Sequence, residues 1–229
     1  MFSLPNLCFV HLSPRCGTAS RTRERPLPAA LRAKGWPEPQ PLRSEEYPMG
    51  LPNLASVSPG NVARVATANK LFVLSAEICT YLCHRRIPWT FENPRGSLFW
   101  WVPEVQALMN LQDVELSPRA RSAGRKYVDD IFFQHCMHGG ARDKLTRPRC
   151  YPATIFASLA LSCNKDHVHK QWGAAGPGRF YTADEAEFPP LLCSRIASLV
   201  KCHTQQSVQQ SSAKPIISHP VQALSLIHI

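Results

Sequence analysis

Two short strings carry residue types able to do covalent chemistry. Ser13-Pro14-Arg15-Cys16-Gly17-Thr18 offers a cysteine nucleophile, and Phe91-Glu92-Asn93-Pro94, after the apolar Ile87-Pro88-Trp89-Thr90, offers a carboxylate to hold the group under attack. A thiol attacks only as its thiolate, so it needs positive charge nearby, and Arg15, Arg21 and Arg23 are the cations closest in sequence. A second constellation, Cys136, His138, Cys163, His167 and His169, has ligand types suited to zinc, which takes four nitrogen or sulfur atoms in a tetrahedron. Such a site would pin two loops together, although its spacing follows no standard finger.

The elements that must position these residues read as follows. The apolar run from Leu7 to Leu12 is a buried strand feeding the Ser13-Pro14 turn. Residues 22–60 form a proline- and arginine-rich loop without sustained period. Val62, Val65, Ala66, Leu71, Leu74, Ile78 and Leu82 recur at helical spacing, which predicts an amphipathic helix ending before Pro88. Trp89 to Phe91 is a short strand with Glu92 in the turn beyond it, where open α/β sheets place their chemistry. Pro103 suits the first position of a helix through Asn110. Residues 117–126 break the pattern as an inserted loop or a retained intron. Tyr127 to Gln134 resumes as a strand, followed by a Gly139-Gly140 turn and an apolar element at 154–161. Thr182-Ala183-Asp184-Glu185 fits a capping box. A final helix starts near Pro190 with Leu192, Ile196, Leu199 and Val200 on one face, and the Gln/Ser-rich residues 203–229 predict disorder.

Composition bounds the function classes. The 229 residues, 44% hydrophobic, are enough for one sizeable core, placed at 7–202. Nine cysteines without a secretory leader fit a reducing intracellular compartment, including the nucleus, better than a disulfide framework. No apolar run reaches the roughly 18 residues of a membrane span. The net charge is +10, from 18 arginines and 8 lysines against 16 acidic residues, spread in pairs and triplets. That excess fits contact with DNA phosphates, with Trp100, Trp101 and Trp172 as stacking candidates, although an apolar setting favours the core for Phe99 and Trp100.

The order of segments resembles the catalytic half of the cytosine-5 DNA methyltransferases, and more closely a poorly characterised methyltransferase-like set from protist genomes and mobile elements. The residues that carry it are Cys16-Gly17-Thr18, Pro41-Leu42-Arg43-Ser44, Phe91-Glu92-Asn93-Pro94, Cys136-Met137-His138-Gly139-Gly140, Cys163 with His167 and His169, and Thr182 to Ala186, so the likeness covers 10–200. It implies an α/β fold, a partial Rossmann-like methyltransferase layer with long irregular loops. It further implies that Cys16 attacks carbon 6 of a flipped cytosine, that Glu92 hydrogen-bonds the ring, that Asn93, Arg21 and Arg23 help bind substrate, and that S-adenosylmethionine gives the methyl group. A flipped base loses a few kcal/mol of stacking, which edge-specific hydrogen bonds must recover.

The chain departs from that pattern at Arg15, where the family has a second proline, and in the 75 residues between Cys16 and Glu92. The family's glycine-rich cofactor turn precedes the cysteine strand, and here that strand lies almost at the start. The expectation is therefore a fragment inactive as it stands. Two other readings stand beside it: a non-catalytic nucleic-acid-binding segment of a mobile-element protein, and a truncated conceptual translation with no folded product. The last is motivated by residues 224–229, Leu-Ser-Leu-Ile-His-Ile, which one reading frame of a common library adapter encodes. Tyr127-Val128-Asp129-Asp130 also copies the two-metal turn of reverse transcriptases, but a polymerase palm needs a third upstream carboxylate and a longer chain.

Overall fold

The computed structural model describes residues 7–111, 127–176, 179–181 and 187–212. Its centre is a mixed sheet between two layers of helices. Strand β1 (Val10–Leu12) pairs in parallel with β2 (Trp89–Pro94), Val10 opposite Trp89 and Leu12 opposite Phe91. A parallel pair needs a crossover connection, and the long segment between them supplies it. Two short helices, α1 (Ala29–Arg32) and α2 (Leu54–Val57), and the long α3 (Val62–His84) lie in that crossover. Beyond β2 the sheet turns antiparallel, with β5 (Leu145–Tyr151) along β2, and β3 (Asp129–Asp130) and β4 (Phe133–Gln134) both on the outer side of β5. A separate antiparallel pair joins β6 (Ala174–Gly176) to β7 (Arg179–Phe180). The chain is thus α/β.

Alternation along the strands divides the core in two. Val10, Leu12, Trp89, Phe91 and Tyr151 pack with Phe72, Ala76 and Cys79 of α3 and with Phe99 and Val105, the latter on α4 (Pro103–Ala107). The neighbouring residues Phe9 and Cys150 face the other way and pack with Phe156 of α5 (Ala153–Phe156) and with Leu192, Ile196 and Val200 of α6 (Pro190–Ser212).

Several expectations are corrected by this packing. The helix at 62–84 is present, but its buried face is Val65, Phe72, Ala76, Cys79 and Leu82, while Val62 and Leu74 are exposed. Phe72 turns inward because Phe99 meets it edge-on at 5.0 Å between ring centroids. Residues 22–60 do not loop out as a whole: Leu27, Leu42 and Arg43 are buried. The Arg43 guanidinium donates to Asn69 Oδ1 (2.6 Å), Thr18 Oγ1 (3.0 Å) and the Pro48 carbonyl (2.5 Å) and lies over the Phe72 ring, which fastens the crossover to the Cys16–Thr18 turn. Burial pulls its pKa down to about 10, so it stays charged at neutral pH.

Glu92 lies inside β2 and not in a turn beyond it, because the strand continues through Asn93 to Pro94. The strand expected at 127–134 is two short pieces, broken opposite Pro148, which has no N–H to offer a neighbour. Helix α6 carries the expected inward face, and it runs on to Ser212, past the start of the expected disorder. The capping box at 182–185, the insertion at 117–126 and the adapter-like 224–229 lie outside the described residues. No helix among the described residues is long and apolar enough to cross a membrane. All nine cysteines are free thiols.

Candidate functional site at the ends of the parallel strands

The β1–β2 pairing carries Ser13 and Cys16, just past β1, to the carboxyl end of β2. His11 and Thr90 bridge the two strands at 2.7 Å between Nδ1 and Oγ1, and two residues further on the Ser13 hydroxyl donates to Glu92 Oε2, also at 2.7 Å. Asn93, on the opposite face, donates from Nδ2 to the Pro14 carbonyl at 3.0 Å. The chain then enters a single helical turn, Cys16–Thr18. That turn is held from outside by Arg23, whose Nε donates to the Gly17 carbonyl at 2.8 Å, and from within by Arg43 through Thr18.

Glu92 is buried at 4% exposure, and while Oε2 is satisfied by Ser13, Oε1 accepts no hydrogen bond among the described residues. The closest cation is Lys144, with Nζ 3.8 Å from Oε1. Asn93 Oδ1 is likewise buried without a donor. Unmet buried acceptors of this kind cost about 1–3 kcal/mol each, more when charged. Burial raises the pKa of the Cys16 thiol, the Glu92 charge raises it further, and Lys144 and the thiol's own backbone hydrogen bond oppose them. The net direction is upward, so the resting site holds a thiol.

Structure thus brings Cys16, Glu92 and Asn93 together and assigns Arg21 and Arg23 other work. Arg21 bonds the Gly96 carbonyl at 3.1 Å and pairs with Glu24 and Glu45, and Arg23 spans Gly17 and Gln40. The cation that acts on Cys16 is Lys144, in place of the expected arginines. Sequence reading missed Lys144 because it precedes β5, a strand hidden by its composition, and it passed over the Ser13 hydroxyl.

The metal candidates divide. Cys136, Cys163, His167 and His169 bring their ligand atoms within 4.8 Å of one another, a group able to hold a metal ion. His138 stands apart, fully buried against Phe133, with Nε2 on the Leu159 carbonyl (3.1 Å) and Nδ1 on Arg195 (2.9 Å). Arginine only donates, so Nδ1 accepts and Nε2 carries the proton to Leu159. Both ring nitrogens are engaged in packing α6 onto the sheet.

Of the paired aspartates, Asp130 is engaged in ion pairs within the sheet. Asp130 is 8% exposed and bound by both Arg147 and Arg149, whose guanidinium groups also lie over Trp100. Three of the arginines are internal: Arg43, Arg142 and Arg149 are buried, and Arg142 lies over Trp172 and Tyr181. Phe99 and Trp100 are core, as their apolar setting indicates, while Trp101 and Trp172 are exposed. Among the described residues, a surface cleft of about 550 Å³ is lined by Leu159, Leu191 and Arg195 and another of about 310 Å³ by Met49, Val65 and Asn69, and neither of these borders Cys16 or Glu92. Comparison with protein-family models, with curated proteins and with solved structures found no match.

Proposed function

We propose that the β1–β2 end is the base-binding site of a cytosine-5 methyltransferase-like protein, with Cys16 as nucleophile and Glu92 as the group that holds the ring. The observation that carries this reading is the buried Glu92 carboxylate, whose Oε2 accepts from Ser13 and whose Oε1 accepts no hydrogen bond among the described residues and faces Lys144 at 3.8 Å, beside a thiol whose pKa is raised by burial and then by Glu92. The parallel β1–β2 pair with its crossover helix supports a partial Rossmann-like layer, since such layers put their sites at the carboxyl ends of parallel strands.

The chemistry follows from the charges. Cytosine presents an amino donor where thymine presents a carbonyl oxygen, and a carboxylate accepts from the first and repels the second. A base seated on Glu92 engages the carboxylate whose charge, after burial, raises the Cys16 pKa, while Lys144 opposes that rise. Occupancy and nucleophile activation are thereby coupled. Thiolate attack at carbon 6 forms the sulfur–carbon bond and breaks the π bond between carbons 5 and 6. The released electron pair takes a proton from water at carbon 5, and loss of that proton with expulsion of the thiolate reverses the step.

S-adenosylmethionine would supply the methyl group in the proteins this chain resembles, but the described residues here do not fit it. Gly139, at φ +85°, and Gly140 close a helical turn on itself, since a Cβ on Gly140 would lie 2.9 Å from the His135 backbone. They form no open cradle. No methyl-transfer step is therefore assigned, and the chain is read as silent in methylation as it stands.

Fluorescence anisotropy with single-stranded oligonucleotides tests the reading. A strand with one cytosine should bind about tenfold tighter than its thymine counterpart, the order expected of one edge-specific contact. Glu92→Gln should erase most of that preference, and Cys16→Ser should keep it. Equal affinity for the two strands in the unmodified protein overturns the proposal.

A further inference from the structure

We propose that Cys136, Cys163, His167 and His169 form a closed tetrahedral zinc site that staples the 161–172 segment to the helical turn His135–His138 at the end of β4. This stands independently of the base-binding reading.

The argument begins with distances. Cys163 Sγ lies 3.5 Å from His169 Nε2 and 3.8 Å from His167 Nε2, and the two Nε2 atoms are 3.1 Å apart. In a tetrahedron with zinc–sulfur bonds of about 2.3 Å and zinc–nitrogen bonds of about 2.0 Å, the sulfur–nitrogen edges are about 3.5 Å and the nitrogen–nitrogen edge about 3.3 Å. These three edges lie close to that figure, and Cys136 Sγ completes the group within 4.8 Å of the other ligand atoms. Both histidines turn the same ring nitrogen to a common point, with their rings crossed at 88°.

The surrounding bonds are those that orient metal ligands. His167 Nδ1 meets Asp166 Oδ1 at 2.9 Å, and the other carboxylate oxygen accepts from Asn164 Nδ2 at 2.6 Å. A carboxylate behind an imidazole fixes the tautomer that leaves Nε2 free to ligate. Lys165, at φ +64°, turns the chain so that its N–H donates to Cys163 Sγ at 3.3 Å, which orients the sulfur toward the two imidazoles. The Cys163 N–H donates to Gln134 Oε1 at 2.7 Å, which sets the ligand against β4.

The stretch between Cys163 and His169 has little apolar surface to hold it down. Val168 is 97% exposed, and residues 164–167 offer no apolar side chain to bury. Two sulfurs and two imidazoles are a borderline-soft set that favours zinc over magnesium or calcium. Four protein ligands leave no open position, so the role is structural.

The test uses the full chain, expressed with zinc in the medium and purified without chelator. Elemental analysis should find about one zinc per chain. Cobalt exchanged into the site should give strong visible d–d absorption and a sulfur-to-cobalt charge-transfer band, the signs of tetrahedral thiolate coordination. Cys163→Ser should lose both, whereas His138→Ala should retain zinc at the unmodified level. Should Cys163→Ser fail to fold, His167→Cys decides, because three sulfurs and one imidazole also suit zinc: that variant should keep the metal and strengthen the charge-transfer band. Absence of zinc together with absence of a tetrahedral cobalt spectrum, or zinc content unchanged in Cys163→Ser, overturns the proposal.

Discussion

Cys16 and Glu92, with 75 residues between them in the chain, meet at the carboxyl ends of two adjacent parallel strands, where burial and then the carboxylate raise the pKa of the thiol. The pairing of His11 with Thr90 and of Ser13 with Glu92 sets their register.

The first consequence is a pH profile. Burial and Glu92 both favour the protonated thiol, so alkylation of Cys16 should rise at higher pH than for an ordinary cysteine. Glu92→Gln should move that rise to lower pH, and Lys144→Met should move it higher. The sign for stability follows by linkage: a pKa raised in the fold means stability is full below the unfolded-state pKa and falls as pH climbs through the folded one. Cys16→Ser should remove that alkaline loss, measured as the denaturation midpoint against pH.

Asp130 should prove structural. Asp130→Asn leaves the buried Arg149 and the part-buried Arg147 without their counter-charge, and breaking a buried pair in this way costs about 3–5 kcal/mol. Asp129→Asn, which disturbs a single local hydrogen bond to the Asp130 N–H, should cost about 1 kcal/mol. Urea unfolding of the two variants checks the contrast.

The orientation of α3 gives a sharper contrast. Phe72 is fully buried and Leu74 is half exposed, so Phe72→Ala should destabilise by about 3–5 kcal/mol and Leu74→Ala by about 0.5 kcal/mol or less. Equal losses would mean that the helix presents the other face.

Arg43 ties the crossover to the nucleophile's turn. Arg43→Lys keeps the charge but loses the planar fork that reaches Thr18, Asn69 and Pro48 together. Limited proteolysis should then cut within residues 22–60 severalfold faster than in the unmodified protein, with α6 still resistant.

How far the sequence revealed this arrangement depended on whether a residue's partners were local. The helices at 62–84, 103–107 and from Pro190 are legible because spacing, Pro103 and the apolar face of Leu192, Ile196 and Val200 are local signals. The rotation of α3 was not, since Phe72 is chosen by Phe99 and Arg43 from distant segments. Strand β5 was invisible: Arg147, Pro148 and Arg149 contradict a central strand, and only Asp130 and Trp100 make the arginines tolerable there. The same concealment hid Lys144. Of the metal candidates four converge, and His138 was misplaced because residue type cannot reveal that Arg195 and Leu159 already hold its ring.

The most direct measurement of the central claim is a footprint of Cys16 by iodoacetamide labelling and peptide mass spectrometry, with the protein free, with a saturating cytosine-containing strand, and with the thymine counterpart. A base seated between Glu92 and Cys16 should shield the thiol, so labelling of Cys16 should fall severalfold with cytosine and remain unchanged with thymine, while the exposed Cys202 reports equal labelling throughout. Equal labelling of Cys16 in all three conditions, at concentrations where the cytosine strand is bound, would contradict the assignment of this strand end as the base site.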